Sequence, residues 1–169
     1  MTTPRTGTLQ TSAPHAASPP HATSRVQLAL NVTDLDAAVE RYTEIFGVAP
    51  AKRRPGYANF ALVDPPLKLV LFENSQAASP LNHLGVELPS PDDVRATTER
   101  FAASGLPHNV SEADLCCHAL QDKVWVDVPD APLGAWEFYT VLDDDPAARP
   151  ATSGGTCCAT TEPGASACC

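Results

Sequence analysis

The chain has 169 residues, 43% of them hydrophobic, and a formal net charge of -9, which leaves room for one well-buried domain or two small modules packed closely together. An acidic chain is repelled by phosphate backbones, so nucleic acid is excluded as a partner. No run approaches the ~20 apolar residues of a membrane helix, and the opening MTTPRTGTLQTSAPHAASPPHATS lacks the apolar core of an export signal. The expectation is a cytoplasmic protein that does not engage a membrane.

Residues 1–23 are rich in Pro, Ser, Thr and Ala without apolar periodicity and read as a disordered tail. Residues 25–32 (RVQLALNV) read as a strand. Asp34 then opens a helix with Leu35, Ala38, Val39, Tyr42, Ile45 and Phe46 at helical spacing, closed by Gly47. Two β-like runs follow, residues 57–63 (YANFALV) and 67–73 (LKLVLFE), separated by Asp64, Pro65 and Pro66. The order then recurs: 81–88 (LNHLGVEL) as strand, 92–104 as helix ending at Gly105, and 116–121, 123–128 and 135–142 as strands. Residues 146–169 again lack core-forming side chains and read as a disordered tail.

The recurrence points to an internal duplication, with modules at about 24–75 and 80–145 in a domain spanning 24–145. Laying RVQLALNVTDL over LNHLGVELPSP without a gap superposes Gln27 on His83, each third in its strand. The predicted fold class is α+β: tandem βαβββ modules whose sheets join into a cup-like, curved mixed sheet. Inward polar side chains from the first strands of both halves then meet inside the cup, as in a metal pocket. Alternation along AWEFYTVL puts Glu137, Tyr139 and Val141 on one face and Trp136, Phe138 and Thr140 on the other, making Glu137 the third inward candidate. The matching position of the first module, near Leu69 or Val70, is apolar, so coordination positions remain open. Taken singly, Gln27 reads as a hydrogen-bonded strand residue, His83 as a satisfied core histidine and Glu137 as a solvated strand residue. The pairing of the repeats is what favours a metal site.

Six cysteines fall as three adjacent pairs, Cys116 with Cys117, Cys157 with Cys158 and Cys168 with Cys169. Neighbouring cysteines close only a strained ring, and in a reducing compartment they rest as dithiols suited to a soft ion or metalloid. Glu112 and Asp114 beside the first pair would raise rather than lower a thiol pKa. A soft ion or metalloid needs no preformed thiolate, because each bond to sulfur expels a proton and two thiols chelate. The tail pairs can capture such an ion for the first pair, hold what is released, or do nothing. Lys123 is a candidate for stabilising an oxygen species, against a surface edge-strand lysine, and Tyr57 a candidate pocket wall or substrate contact. His118 is placed to tune the thiols.

The segments RVQLALNV, AKRRPGYANFALVDPPLKLVLFEN, LNHLGVEL, CC followed by ALQDKVWV, and WEFYTVL resemble, in order and spacing, the ArsI-type carbon-arsenic lyases of the vicinal oxygen chelate superfamily, with which cadmium-induced proteins are grouped. The resemblance covers residues 25–142 and neither tail. It implies an iron(II) centre held by Gln27, His83 and Glu137, with Cys116 and Cys117 as the arsenic-binding pair on a mobile loop. The implied activity is O2-dependent cleavage of trivalent organoarsenicals, methyl or aromatic, to arsenite. Rival readings are a non-catalytic thiol binder of arsenite or cadmium, and another superfamily chemistry such as extradiol cleavage or glyoxalase-type isomerisation, which leaves the adjacent thiols unexplained. Pairing of the two halves within one chain or across a homodimer stays open.

Overall fold

A computed structural model describes residues 23–116, 118–128 and 134–146. Apart from residues 23 and 146, the two expected tails lie outside the described residues. The elements are β1 (Arg25–Val32), α1 (Leu35–Phe46), β2 (Lys52–Arg54), β3 (Tyr57–Leu62), β4 (Leu67–Glu73), β5 (Leu81–Glu87), α2 (Pro91–Ala103), β6 (His108–Cys116), β7 (Ala119–Val126) and β8 (Trp136–Asp143). This is the βαβββ order twice over.

Local chemistry sets the helix ends. Asp34 caps α1 by accepting from the Ala37 amide at 2.9 Å, and Gly47 ends it in the left-handed conformation at φ 69°. Ser90 accepts from the Asp93 amide at the start of α2, where Pro91 occupies the first turn together with Asp92 and Asp93.

All eight strands form one mixed sheet in the order β2-β3-β4-β1-β5-β8-β7-β6. Within each module the first strand runs parallel to the last, β1 to β4 and β5 to β8. The modules join inside the chain where β1 and β5 pair antiparallel, with Gln27 opposite Gly85 and Ala29 opposite His83. Gln27 and His83 are therefore related by the local dyad of the duplication. By the same symmetry, Glu137, which pairs with Gly85, corresponds to Val70, which pairs with Ala29. The apolar counterpart is Val70 rather than Leu69.

Period-two alternation divides the sheet into two faces. On the convex face α1 packs on Phe60, Leu69 and Leu71, and α2 on Val124, Val126 and Phe138. Burying each such side chain contributes about 1.5–3 kcal/mol before entropy is charged. The concave face carries Gln27, Tyr57, Lys68, Val70, Phe72, His83, Lys123, Trp125 and Glu137 around a single cavity. The sheet curls into a half-barrel about them.

Two strands depart from the sequence expectation. β2 (KRR) was not expected, and residues 108–116 (HNVSEADLC), read only from Cys116 onward, form β6. Both are outermost strands, so neither has to alternate apolar with polar residues. The separate runs 116–121 and 123–128 are replaced by one strand, β7, which continues through Asp122, while Val128 lies beyond it.

Candidate functional site

The floor of the cup brings Gln27 of β1, His83 of β5 and Glu137 of β8 into mutual contact. Gln27 Nε2 lies 2.8 Å from His83 Nε2 and donates to Glu137 Oε2 at 3.1 Å, and His83 Nε2 lies 3.3 Å from the same carboxylate oxygen. Gln27 and Glu137 are buried, each 5% exposed. Burial works to raise the Glu137 pKa, but contact with His83 and the Lys123 ammonium outweigh it and hold the carboxyl below its ordinary value.

These contacts provide a test of fit for a metal. Three donors on one face of an octahedron with bonds of ~2.1 Å stand ~3.0 Å apart. The two atoms able to coordinate as they stand, His83 Nε2 and Glu137 Oε2, are 3.3 Å apart, close to that spacing, while Gln27 Nε2 holds the third place at 2.8 and 3.1 Å from them. The donor types suit a borderline divalent ion such as iron(II). One adjustment is needed. Gln27 Oε1 points away from the other two, accepting from the Tyr139 hydroxyl at 2.5 Å, so rotation of the terminal amide has to bring this oxygen inward. Until then the amide's two N–H groups bridge imidazole and carboxylate, standing in for a cation. Among the described residues no three His, Cys, Asp or Glu side chains cluster for a metal, because the third donor is an amide.

The surroundings were partly legible in advance. Lys123, weighed as an exposed edge lysine, is 1% exposed on an interior strand, its Nζ 2.9 Å from Asp114 Oδ2 and 3.4 Å from Glu137 Oε1. Burial alone would lower its pKa, yet Glu137 and Asp114 hold it above the usual lysine value. Asp114 is thereby paired, so its charge does not act unopposed on the neighbouring thiol as expected. It reaches Lys123 through an irregularity in the β6–β7 register between Ser111 and Asp114, with Ala113 at φ 48°.

Cys116 ends β6 and lines the cavity with Tyr57 and His118, whereas Cys117, Cys157, Cys158, Cys168 and Cys169 lie outside the described residues. The Tyr57 and His118 rings stand 4.6 Å apart, and the His118 pKa is lowered, first by burial and then by Lys52 and Arg54. Phe72 and Trp125 flank His83, with Trp125 edge-on at 5.3 Å. The cavity has a volume of about 70 Å³. Over its rim, Lys52 of β2 is buried and donates to the His118 carbonyl at 2.6 Å and to the carboxylate of Asp144, 3.1 Å away, beyond β8, while Arg54 pairs with Asp145 at 2.9 Å.

Several residues of the site escaped sequence reasoning. Tyr139 shares the face of Glu137 by alternation, and that pattern was the available signal. Gly85 is the close-approach position: a Cβ there would stand 2.9 Å from the Glu137 carbonyl oxygen and 3.4 Å from Gln27 Nε2. Asn82, adjacent to His83, contacts its ring and gave no signal of its own.

The paired βαβββ modules, curled into one half-barrel with polar side chains converging inside it, define the class of fold. The model of the Glyoxalase/Bleomycin resistance protein/Dioxygenase superfamily matches residues 15–144, and the chain belongs to this superfamily, the vicinal oxygen chelate proteins. It is 54% identical over 121 residues to the cadmium-induced protein CadI of Mycobacterium tuberculosis, covering 72% of this chain and 78% of that one. It is 49% identical over 122 residues to the trivalent organoarsenical cleaving enzyme of Thermomonospora curvata, covering 72% and 80%. Among solved structures, an extradiol ring-cleaving dioxygenase from B. fuscum aligns with a TM-score of 0.49 at 19% identity, over 73% of this chain and 35% of that chain. Among the described residues no helix is long and apolar enough to cross a membrane.

Proposed function

We propose that the protein is an iron(II)- and O2-dependent enzyme that cleaves the carbon-arsenic bond of trivalent organoarsenicals and releases arsenite. The observation that carries this reading is one cavity lined by Gln27, His83 and Glu137 at its floor and by Cys116 at its wall, in a chain 49% identical to a trivalent organoarsenical cleaving enzyme. Iron(II), when bound by the three floor residues, would supply O2 activation next to the arsenical.

The chain's own residues do the rest. Cys116 and its neighbour Cys117 hold As(III) by two As–S bonds, and this chelation selects trivalent over pentavalent arsenic. Phe72, Trp125 and Tyr57 wall the reacting carbon from water, and the Lys123 ammonium keeps a positive charge beside the Glu137 carboxylate. Cys157, Cys158, Cys168 and Cys169 serve as accessory capture thiols, dispensable for turnover when substrate is saturating.

A second reading is non-catalytic sequestration of arsenite or cadmium, favoured by 54% identity to a protein named for its induction by cadmium. Incubating the protein with methylarsenite and ferrous iron under air, then speciating arsenic, separates the two. Conversion to arsenite that requires both iron and O2 supports the enzyme, and persistence of intact methylarsenite defeats it. His83→Ala or Glu137→Ala should abolish conversion while thiol binding of methylarsenite survives.

A further inference from the structure

Resting on the metal reading of the floor, we infer that Asn31 and Asn82 are positioning residues that fix the tautomer of His83, presenting its Nε2 lone pair to the centre. The inference follows from the direction of a hydrogen-bond chain running from the backbone to the ring. Asn31 Nδ2 donates to the Ser79 carbonyl at 2.9 Å, Asn82 Nδ2 donates to Asn31 Oδ1 at 2.9 Å, and Asn82 Oδ1 lies 2.7 Å from His83 Nδ1.

The end of the chain decides its polarity. A backbone carbonyl only accepts, so Asn31 has to offer its NH2 group to Ser79 and its oxygen to Asn82. Asn82 in turn spends its NH2 on Asn31 and turns its oxygen toward the ring. His83 Nδ1 must then carry the proton. Reversing any link would set two acceptors or two donors against each other in a half-buried setting.

On the opposite side of the ring the shortest contact agrees with this polarity. The Glu137 carboxylate accepts from Gln27 Nε2 at 3.1 Å, which fixes the amide's NH2 group inward, and the same nitrogen stands 2.8 Å from His83 Nε2. That contact is a hydrogen bond only if Nε2 is unprotonated, whereas the longer 3.3 Å contact of Nε2 with Glu137 Oε2 would be one only with a proton on Nε2; the shorter contact, together with the Asn82 relay, favours the lone pair. The relay anchored on Ser79 and the 2.8 Å contact with the Gln27 amide thus favour one neutral tautomer over the single opposing contact with Glu137.

The sequence places this relay economically. Asn82 directly precedes His83, and Asn31 comes from the neighbouring strand β1, where the backbone amide of Asn31 also bonds the Pro80 carbonyl at 2.8 Å. A metal ligand whose distal nitrogen is held in this way keeps its orientation, and loss of such a partner costs ~10–100-fold in metal affinity.

Ring 15N spectra of the metal-free, full-length protein under mildly alkaline conditions test the inference without any arsenical, with the His83 signals assigned by their loss in His83→Gln. The wild type should show the Nδ1–H pattern. Asn82→Leu should shift His83 toward Nε2–H and weaken anaerobic Fe(II) binding by ~10–100-fold, while Asn82→Asp, which preserves an acceptor, should retain Nδ1–H. Asn31→Ala, which removes the acceptor for Asn82, should mix the tautomers even if Asn82→Leu fails to fold. A wild-type Nε2–H pattern, or an unchanged Nδ1–H pattern in both Asn82→Leu and Asn31→Ala, overturns the proposal. A wild type with the Nδ1–H pattern that leaves methylarsenite intact would instead count against the enzymatic reading alone.

Discussion

Tyr139 donates a 2.5 Å hydrogen bond to Gln27 Oε1, so the orientation of the amide at the floor of the cup is tied to a hydroxyl two residues beyond Glu137 on the same strand. Burial, followed by Glu87 and Glu137, pushes the Tyr139 pKa well above its ordinary value, and the hydroxyl stays protonated. Because this bond holds Oε1 away from His83 and Glu137, Tyr139→Phe should leave the fold intact, ease the inward turn of the amide and tighten Fe(II) binding by ~5–10-fold, read by anaerobic metal competition. Unchanged affinity would show that the hydroxyl has no hold on Gln27.

Lys123 joins β6, the strand that bears the Cys116 thiol, to the floor of the site. Removing the ammonium leaves Glu137 buried with one fewer partner, so Lys123→Met should cost ~3–5 kcal/mol in urea denaturation. Adding Glu137→Gln should recover part of that loss, and strict additivity of the two substitutions would contradict the pairing.

At Gly85 a methyl group has no room. Gly85→Ala should shift Glu137 and Gln27, destabilise the protein by about 1–3 kcal/mol and impair metal binding. The comparison to make is with Ala29, the dyad-related position, where a methyl group is already present.

Cys116→Ser should cut methylarsenite affinity by ~100-fold or more through loss of chelation, with Fe(II) affinity preserved. Isothermal titration with each ligand distinguishes the thiol wall from the floor, and parallel loss of both would argue against their separation.

Tyr57 supplies a pH test away from the floor. Burial first, offset by a hydrogen bond from Asn59, pushes its pKa up to about 12. The folded pKa lies above that of the unfolded chain, so the stabilising contribution is complete below ~10 and is lost as pH rises from there through 12. Ultraviolet titration should show a late phenolate that disappears in Tyr57→Phe. Ionisation of Tyr57 near its ordinary value would contradict its burial. In the working range the ring acts as a neutral wall.

The elements that buried one face were legible in the sequence. β1, β5 and both helices advertise themselves by alternation, by helical spacing and by the cap at Asp34, and the ungapped match of Gln27 with His83 follows from these alone. β2 and β6 lie at the sheet margins, where polar residues are tolerated on both faces, so KRR and HNVSEADLC carried no strand signal. Lys123 reads as a surface lysine until the irregular β6–β7 register delivers Asp114 to it. Tyr139 was on the correct face from the outset, but its partner lies 112 positions away and only the fold brings them together.

Lys52 gives the half-barrel a seam without a ladder. Among the described residues β2 bonds only to β3 and β6 only to β7 within this sheet. β2 and β3 meet the β6–β7 turn and the residues after β8 through side chains, Lys52 on the His118 carbonyl and Asp144, Arg54 on Asp145, and the Tyr57 ring on that of His118. Backbone pairing there would make widening the mouth a matter of tearing strands apart. Here the mouth can widen by releasing two basic side chains and the contact of the Tyr57 and His118 rings while every strand keeps its neighbours, so admission of a bulky guest and integrity of the sheet are mechanically decoupled.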